Sequence, residues 1–271
     1  MIRNLLFLKD RYKSLYSEKV ELGKEICKNS KVAVVSLARN CEKNLQKSID
    51  AIGKLESKEF SFFIYENNSI DRTKKILEDN QSDQISISLN TDETRYLTNR
   101  SRERTMNLAA YRNICLEWVK QNCSNFDYAV VLDLDADDGF SIDGIYNSIS
   151  WLDKIKKSAG MGSYSLMLKT RSKELLHYDA FAARLQDWEE STPQPSHFEM
   201  IFSQYHPDIG SCPISFYSCF GGLGVYKMKS FKEGVYDGSM GCEHVFFHKS
   251  MRDKGYEMYL NPSSLFFAAR F

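Results

Sequence analysis

Four carboxylates crowd into the six positions from Asp133 to Asp138, namely Asp133, Asp135, Asp137 and Asp138, directly after the apolar run Tyr128 to Leu132. Acids packed this closely repel one another unless a cation or a cationic side chain neutralises them. An all-oxygen donor set of this kind favours Mg²⁺, Mn²⁺ or Ca²⁺ over softer metals. The plain alternative is a solvated acidic turn. What favours a site is position: a continuous apolar run suits a strand covered on both faces, and ligands of open α/β sheets bind beyond the carboxyl ends of such strands. Alternation along an extended chain puts both members of Asp133/Asp135, or of Asp135/Asp137, on one side, and Asp135 belongs to both pairs.

The elements needed to hold that strand end are legible upstream. Val32 to Leu37 reads as a first buried strand, followed by a helix with Leu45, Ile49 and Ile52 on one face and Asn40 as its cap. Phe60 to Tyr65 repeats the design, with a polar turn from Glu66 to Asp71 and Asp71 placed to cap a short helix. Residues 84–90 form a third strand, so strand and helix alternate as in an α/β fold with a mostly parallel central sheet flanked by helices. Residues 91–104 read as a loop carrying Arg95, Arg100, Arg102 and Arg104. A helix over 105–122 buries Leu108, Tyr111, Cys115 and Trp118, with Arg112 alongside.

Beyond the acids, Ser141 is placed to cap a helix with Ile145, Ile149 and Leu152 inward. The rest predicts a smaller region of mixed strands: 162–170, 177–185, a strand pair around Gly221, Gly222 and Gly224, and a last strand ended by Pro262. Residues 186–210 read as a long loop, a lid or an acceptor-binding segment. A helix within 241–255 stops at Gly255.

Composition narrows the function classes. The 271 residues carry 36 basic and 36 acidic side chains, so no basic excess exists to drive nucleic-acid binding. No apolar run reaches the length of a membrane span. Residues 1–30 hold seven Lys/Arg against four Asp/Glu, which suits an ordinary amphipathic helix and leaves peripheral contact with a membrane surface as the other reading. Seven cysteines, an odd number with no C-x-x-C pair, point to free thiols and a cytoplasmic setting.

Several segments together resemble nucleotide-sugar-dependent glycosyltransferases with the GT-A (Rossmann-like) fold. VAVVSLARNCEKNL is similar to their first strand and nucleotide loop, IYENNSIDRT to the turn after the second strand, and VVLDLDADD to the DxD metal motif. CEHVFFHKSMRDKGYEMYLNP is similar to the helix carrying an acidic catalytic residue and the strand after it. The nearest flavours are glycosyltransferase family 2 and the fungal capsule-associated α-mannosyltransferases, the latter through AAYRN, HYDAFAAR and FGGLGVYK. The resemblance implies one GT-A domain: an N-terminal helical extension (1–30), a nucleotide-binding half (31–140) and an acceptor and donor-sugar half (141–271). It implies a UDP- or GDP-sugar donor, Mn²⁺ or Mg²⁺, and a glycan or glycolipid acceptor in surface-polysaccharide assembly.

By the same resemblance, Arg39, Asn40, Glu66, Asn67 and Asp71 hold base and ribose, and Arg112 and Asn113 lie beneath the donor. Asp135 is the metal ligand common to both pairs, with Asp137 as its partner and Asp133 at the ribose or donor sugar, or the two exchanged. Asp179 contacts the donor, and Glu243 is the general base if the transfer inverts and has another role if it retains. For Arg112 the competing role is a structural ion pair. For Glu243 it is the favourable position of an acid in a first helical turn. His244 and His248 sit at i and i+4, spacing that allows a shared metal or a diphosphate contact, with His248 the metal candidate and core packing the alternative.

Three rival readings stand beside this one. VVLDLDADD matches a haloacid-dehalogenase phosphatase signature for four positions, then departs at Asp137. A sugar nucleotidyltransferase would need a glycine-rich loop after the first strand, which is missing. A non-catalytic nucleotide- or glycan-binding module is the third.

Overall fold

The computed structural model describes residues 8–90, 101–186 and 196–270. Within them α1 (Asp10–Lys28) leads into β1 (Lys31–Ala38), α2 (Glu42–Ile52), β2 (Glu59–Asn67), α3 (Thr73–Asn80), β3 (Ile85–Asn90), α4 (Arg102–Asn122) and β4 (Tyr128–Leu132). Then come β5 (Gly139–Phe140), α5 (Ile142–Lys154), β6 (Ser158–Lys169), β7 (Glu174–His177), α6 (Ser196–Ser203), β8 (Ile214–Phe216) and β9 (Leu223–Lys227). The chain ends with α7 (Met228–Glu233), α8 (Glu243–Arg252) and β10 (Glu257–Arg270).

These strands make one sheet in the order β3-β2-β1-β4-β9-β6-β10-β5, with β7 beside β6 and β8 beside β10. The first four are parallel, as the strand–helix alternation predicts. β9 enters antiparallel between β4 and β6, while β10 runs parallel to β6, so the second half is mixed.

Both faces of the central strands are covered, which explains their unbroken apolar sequence. Val32 and Val34 of β1, and Tyr128, Val130 and Leu132 of β4, face the core shared with α2 and α5. Ala33, Val35, Ala129 and Val131 face the core shared with α4, α7 and α8. Carried two residues past Val131, the same parity turns Asp133 towards α4 and α8. α1 lays its buried face, Val20, Gly23 and Cys27, against the protein, and Lys19 packs over the Trp151 ring of α5. None of the described helices is long and apolar enough to cross a membrane.

Several local expectations are corrected. The α4 helix begins three residues early because Ser101 Oγ accepts the Arg104 N–H, drawing Arg102 to Arg104 out of the expected loop; residues 91–100 lie outside the described residues. Asn40 is not the cap of α2. It precedes the cap residue Cys41, with φ 46, and its Oδ1 accepts the Ile70 N–H instead. Ser141 holds the cap position of α5 without a capping bond, its hydroxyl being engaged with the Leu265 backbone. Only His177 of 177–185 is in a strand; after it the chain turns, with Asp179 at φ 72. The expected loop 186–210 contains α6, while 187–195 lie outside the described residues. β10 does not stop at Pro262 but passes it through a register shift between Asn261 and Leu265, where a missing N–H is tolerated.

Candidate active site

The carboxyl ends of β1, β2 and β4 open into a cleft of about 550 Å³ that α4, the 178–181 turn, α6 and the start of α8 close from the other sides. Eight of the candidate site residues singled out in the sequence line it: Arg39, Asn67, Arg112, Asp133, Asp135, Asp179, Glu243 and His244.

At its floor is a buried ion network. Arg112 donates from Nε to Glu243 Oε1 at 3.0 Å and from Nη2 to Asp133 Oδ1 at 3.3 Å, with its guanidinium 5.2 Å above the Phe220 ring. Arg112 and Glu243 are 7% and 3% exposed, so neither charge could persist there unpaired. The structural ion pair expected as one alternative for Arg112 is present, and it lies at the cleft. Asp133 opens to the cleft but is otherwise enclosed by protein; that burial, against the pull of Arg112 and with Asp135 and Asp179 adding repulsion, lifts its carboxyl to about 7. Asp179 is lifted to about 6, by burial first, against the Gly221 N–H that its Oδ2 accepts at 2.8 Å and with Glu243 adding repulsion. Asp135 is exposed into the cleft, whose walls still displace bulk water; this desolvation, with the nearby Asp137 carboxylate, raises its pKa.

Backbone geometry fixes these acids. The Asp133 N–H donates to Gly222 O at 2.8 Å, so the 220–222 turn is tied to the end of β4. Gly221 has φ 72, and a Cβ there would lie 2.5 Å from Ser163 O, so a side chain at this position would break the turn that holds both Asp133 and Asp179.

The remaining candidates lie elsewhere. Asp137 turns out of the cleft: its Oδ1 accepts from Lys43 Nζ and Asn44 Nδ2, both at 3.1 Å. The pair presented together is therefore Asp133 and Asp135. Asn40, Glu66 and Asp71 brace the loops after β1 and β2 from behind the cleft. Glu66 is fully buried, with Oε1 accepting the Ser69 N–H. Asp71 accepts the Thr73 and Glu42 N–H groups, linking the first turns of α3 and α2. Asn113 brackets the Tyr236 backbone, donating to its O at 2.9 Å and accepting its N–H at 3.1 Å.

His248 is corrected from metal candidate to core residue. It is fully buried, and both ring nitrogens are engaged, with Ser218 Oγ at 2.8 Å and Tyr226 OH at 3.0 Å. Burial, with Arg252 nearby, pushes its pKa down to about 3, so the imidazole is neutral. Since this folded value lies below the ordinary 6.5, the native state binds fewer protons than the unfolded chain between pH 6.5 and 3, and His248's contribution is lost as pH falls through that window. His248→Ala is expected to lose about 3 kcal/mol in urea denaturation at pH 7.5. The gap to wild type should narrow by about 1.4 kcal/mol per pH unit below 6.5.

Sequence reasoning missed Arg104, Asn107, His177, Tyr178, Glu199, Ser203 and Phe220 as lining residues. The first two share a helical face with Leu108 and Tyr111, a spacing visible in the sequence. Glu199 and Ser203 carried no signal, since their helix was read as loop.

The set of donors fits a hard divalent cation: two acidic side chains with raised pKa face one cleft, where a cation would relieve their repulsion. Among the described residues no group of three or more His, Cys, Asp or Glu is assembled as a complete metal cage, so such an ion would draw its remaining ligands from substrate and water.

Solved structures share this architecture. A mannosyltransferase from Pyrobaculum calidifontis, PcManGT, in complex with GDP-Man and Mn²⁺, superposes with a TM-score of 0.53 at 13% identity, over 94% of this chain and 66% of that one. S. aureus TarS in complex with UDP gives 0.52 at 13% identity, over 89% and 60%. At such identity the likeness establishes the fold, which is GT-A, and this chain spans about two thirds of those structures or less. No curated protein matches the sequence. The sequence profile described as "Glycosyl transferase family 2" matches residues 33–221, and the chain belongs to that family. The match runs through the acidic strand and removes the phosphatase reading of VVLDLDADD.

Proposed function

We propose that this protein is a metal-dependent glycosyltransferase that moves a sugar from a nucleoside-diphosphate sugar to a hydroxyl of a glycan or glycolipid. The observation that carries this reading is the pairing of Asp133 and Asp135 at one cleft with the buried Arg112–Glu243 ion pair. Family membership and the GDP-Man, UDP and Mn²⁺ named for its structural neighbours support it.

In this reading Arg39 and Asn67 hold base and ribose, on a loop that Asn40, Glu66 and Asp71 shape from behind. Asp135, with Asp133, would hold Mn²⁺ or Mg²⁺, which when bound supplies positive charge against the negative charge developing on the departing diphosphate. Asp179 contacts the donor sugar. Glu243 takes the proton of the acceptor hydroxyl as that oxygen attacks the anomeric carbon, an assignment that belongs to an inverting transfer. One Glu243 oxygen is bound by Arg112, and the other has only a weak Cys242 Sγ contact at 3.9 Å, leaving it able to accept a proton. Arg112 thus orients the base and steadies Asp133 together. The seven free cysteines suit a cytoplasmic setting, with surface-polysaccharide assembly as the pathway class.

Titration calorimetry with UDP and GDP, with and without Mn²⁺, followed by a sugar-nucleotide screen, tests the proposal. Mn²⁺-dependent nucleotide binding and sugar release are expected. Nucleotide binding with no turnover of any donor would leave a non-catalytic module.

A further inference from the structure

His244 is the one cleft-lining side chain among the described residues that is almost wholly buried, at 3% exposure, with neither ring nitrogen hydrogen-bonded. Its neighbour one turn on, His248, has both nitrogens satisfied, so the vacancy does not follow from histidine packing in this helix. The His244 ring is clamped, stacked on Phe220 with centroids 3.8 Å apart and met edge-on by Tyr236 at 5.7 Å. Phe220 carries the Arg112 guanidinium over the same ring system, so His244 is held in register with the ion network.

Its Nε2 lies 3.8 Å from Glu243 Oε1. That separation is too long for a direct hydrogen bond, yet short enough for one oxygen to lie about 2.8 Å from both atoms. The imidazole is neutral, because burial and the Arg112 charge hold its pKa well below the ordinary value. A neutral ring offers one N–H donor and one acceptor. A hydroxyl complements the pair: its oxygen accepts from the imidazole N–H while its proton points to the Glu243 carboxylate. A phosphate oxygen does not, since it would face that carboxylate without a proton to share.

We propose that the Glu243–His244 gap is a seat for one sugar hydroxyl, with His244 the specificity-determining residue that receives it. This rests on the transferase reading above. The hydroxyl belongs either to the donor sugar or to the acceptor, and the two sources separate experimentally.

The test uses His244→Phe, which keeps the stacked ring and removes both nitrogens, with His244→Asn restoring a hydrogen-bonding group. Thermal melting of His244→Phe should equal or exceed wild type, since two unsatisfied buried nitrogens are gone. Transfer should fall by about 10- to 100-fold, with partial recovery in His244→Asn. If the donor supplies the hydroxyl, the extra affinity of GDP-mannose over GDP, or of UDP-glucose over UDP, shrinks in calorimetry. If the acceptor does, that difference and donor hydrolysis by water persist while the acceptor KM rises. A His244→Phe protein that transfers within about twofold of wild type, with both KM values intact, would reduce His244 to core packing and overturn the inference. A wild-type protein that binds no sugar nucleotide would instead overturn the transferase reading, and this seat with it.

Discussion

Asp135→Ala is expected to lower transfer by about 10³-fold or more, to remove the Mn²⁺ dependence of UDP or GDP binding, and to leave the melting temperature unchanged or raised. The size of the effect follows from what this carboxylate faces. It is exposed into the cleft rather than packed in the core, so its loss opens no cavity. Desolvation by the cleft walls, with the Asp137 carboxylate, raises its pKa, and its own charge adds to the burial that raises Asp133, so removing it relieves repulsion in the unliganded protein. Asp137→Ala is the control. Its carboxylate is already held by Lys43 and Asn44 outside the cleft, and transfer should stay within about threefold of wild type. Calorimetry with each nucleotide, with and without Mn²⁺, and steady-state transfer on both variants decide the matter. Equal losses in the two variants would mean that Asp135 and Asp137 act as the metal pair and that the loop rearranges on loading.

Glu243→Gln should lower kcat by about 10²- to 10⁴-fold while leaving nucleotide affinity close to wild type. The amide retains the size of the side chain and an oxygen for the Arg112 Nε, but it cannot take a proton from an acceptor hydroxyl. Arg112 would keep Asp133 as its anionic partner, so the stability loss should be limited to about 1–3 kcal/mol for the weakened charged hydrogen bond. Removing the cation instead, with Arg112→Met, would strand two acids at the cleft floor, so that variant tests stability more than chemistry. If Glu243→Gln retains full kcat, the Arg112–Glu243 pair is structural alone and the base lies elsewhere among the lining acids, with Asp179 next in line. Single-turnover measurement separates the chemical step from product release in either case.

The first half of the fold was readable because its signals are local. The runs 32–37, 60–65 and 128–132 are apolar on both faces, and only a covered parallel sheet makes use of that pattern. Parity along β4 then carries Asp133 to the α4 side, so the position of the acidic cluster at the sheet's rim was already implicit in the residues. The second half was harder because long-range contacts override its local preferences. HYDAFAAR has the composition of a strand, yet Asp179 adopts φ 72 and gives its carboxylate to the Gly221 N–H, a bond to a partner 42 residues away. Pro262 reads as a terminator, but β6 continues to pair with β10 on either side of a register shift and the strand runs on.

By itself the sequence determined the sheet's parallel half, the rim on which the acids stand and the family to which the chain belongs, since each rests on patterns within a few neighbouring residues. Which acids face inward was decided in three dimensions. Asp133 meets Arg112 from 21 positions away and Arg112 meets Glu243 across 131, while Asp137 is drawn off by Lys43 from the far side of the loop. The two histidines of α8 differ for the same reason. They are spaced one helical turn apart and both buried, but the partners that make His248 a core residue come from another strand and turn, while His244 lines the cleft without them, and no reading of the helix alone contains that difference.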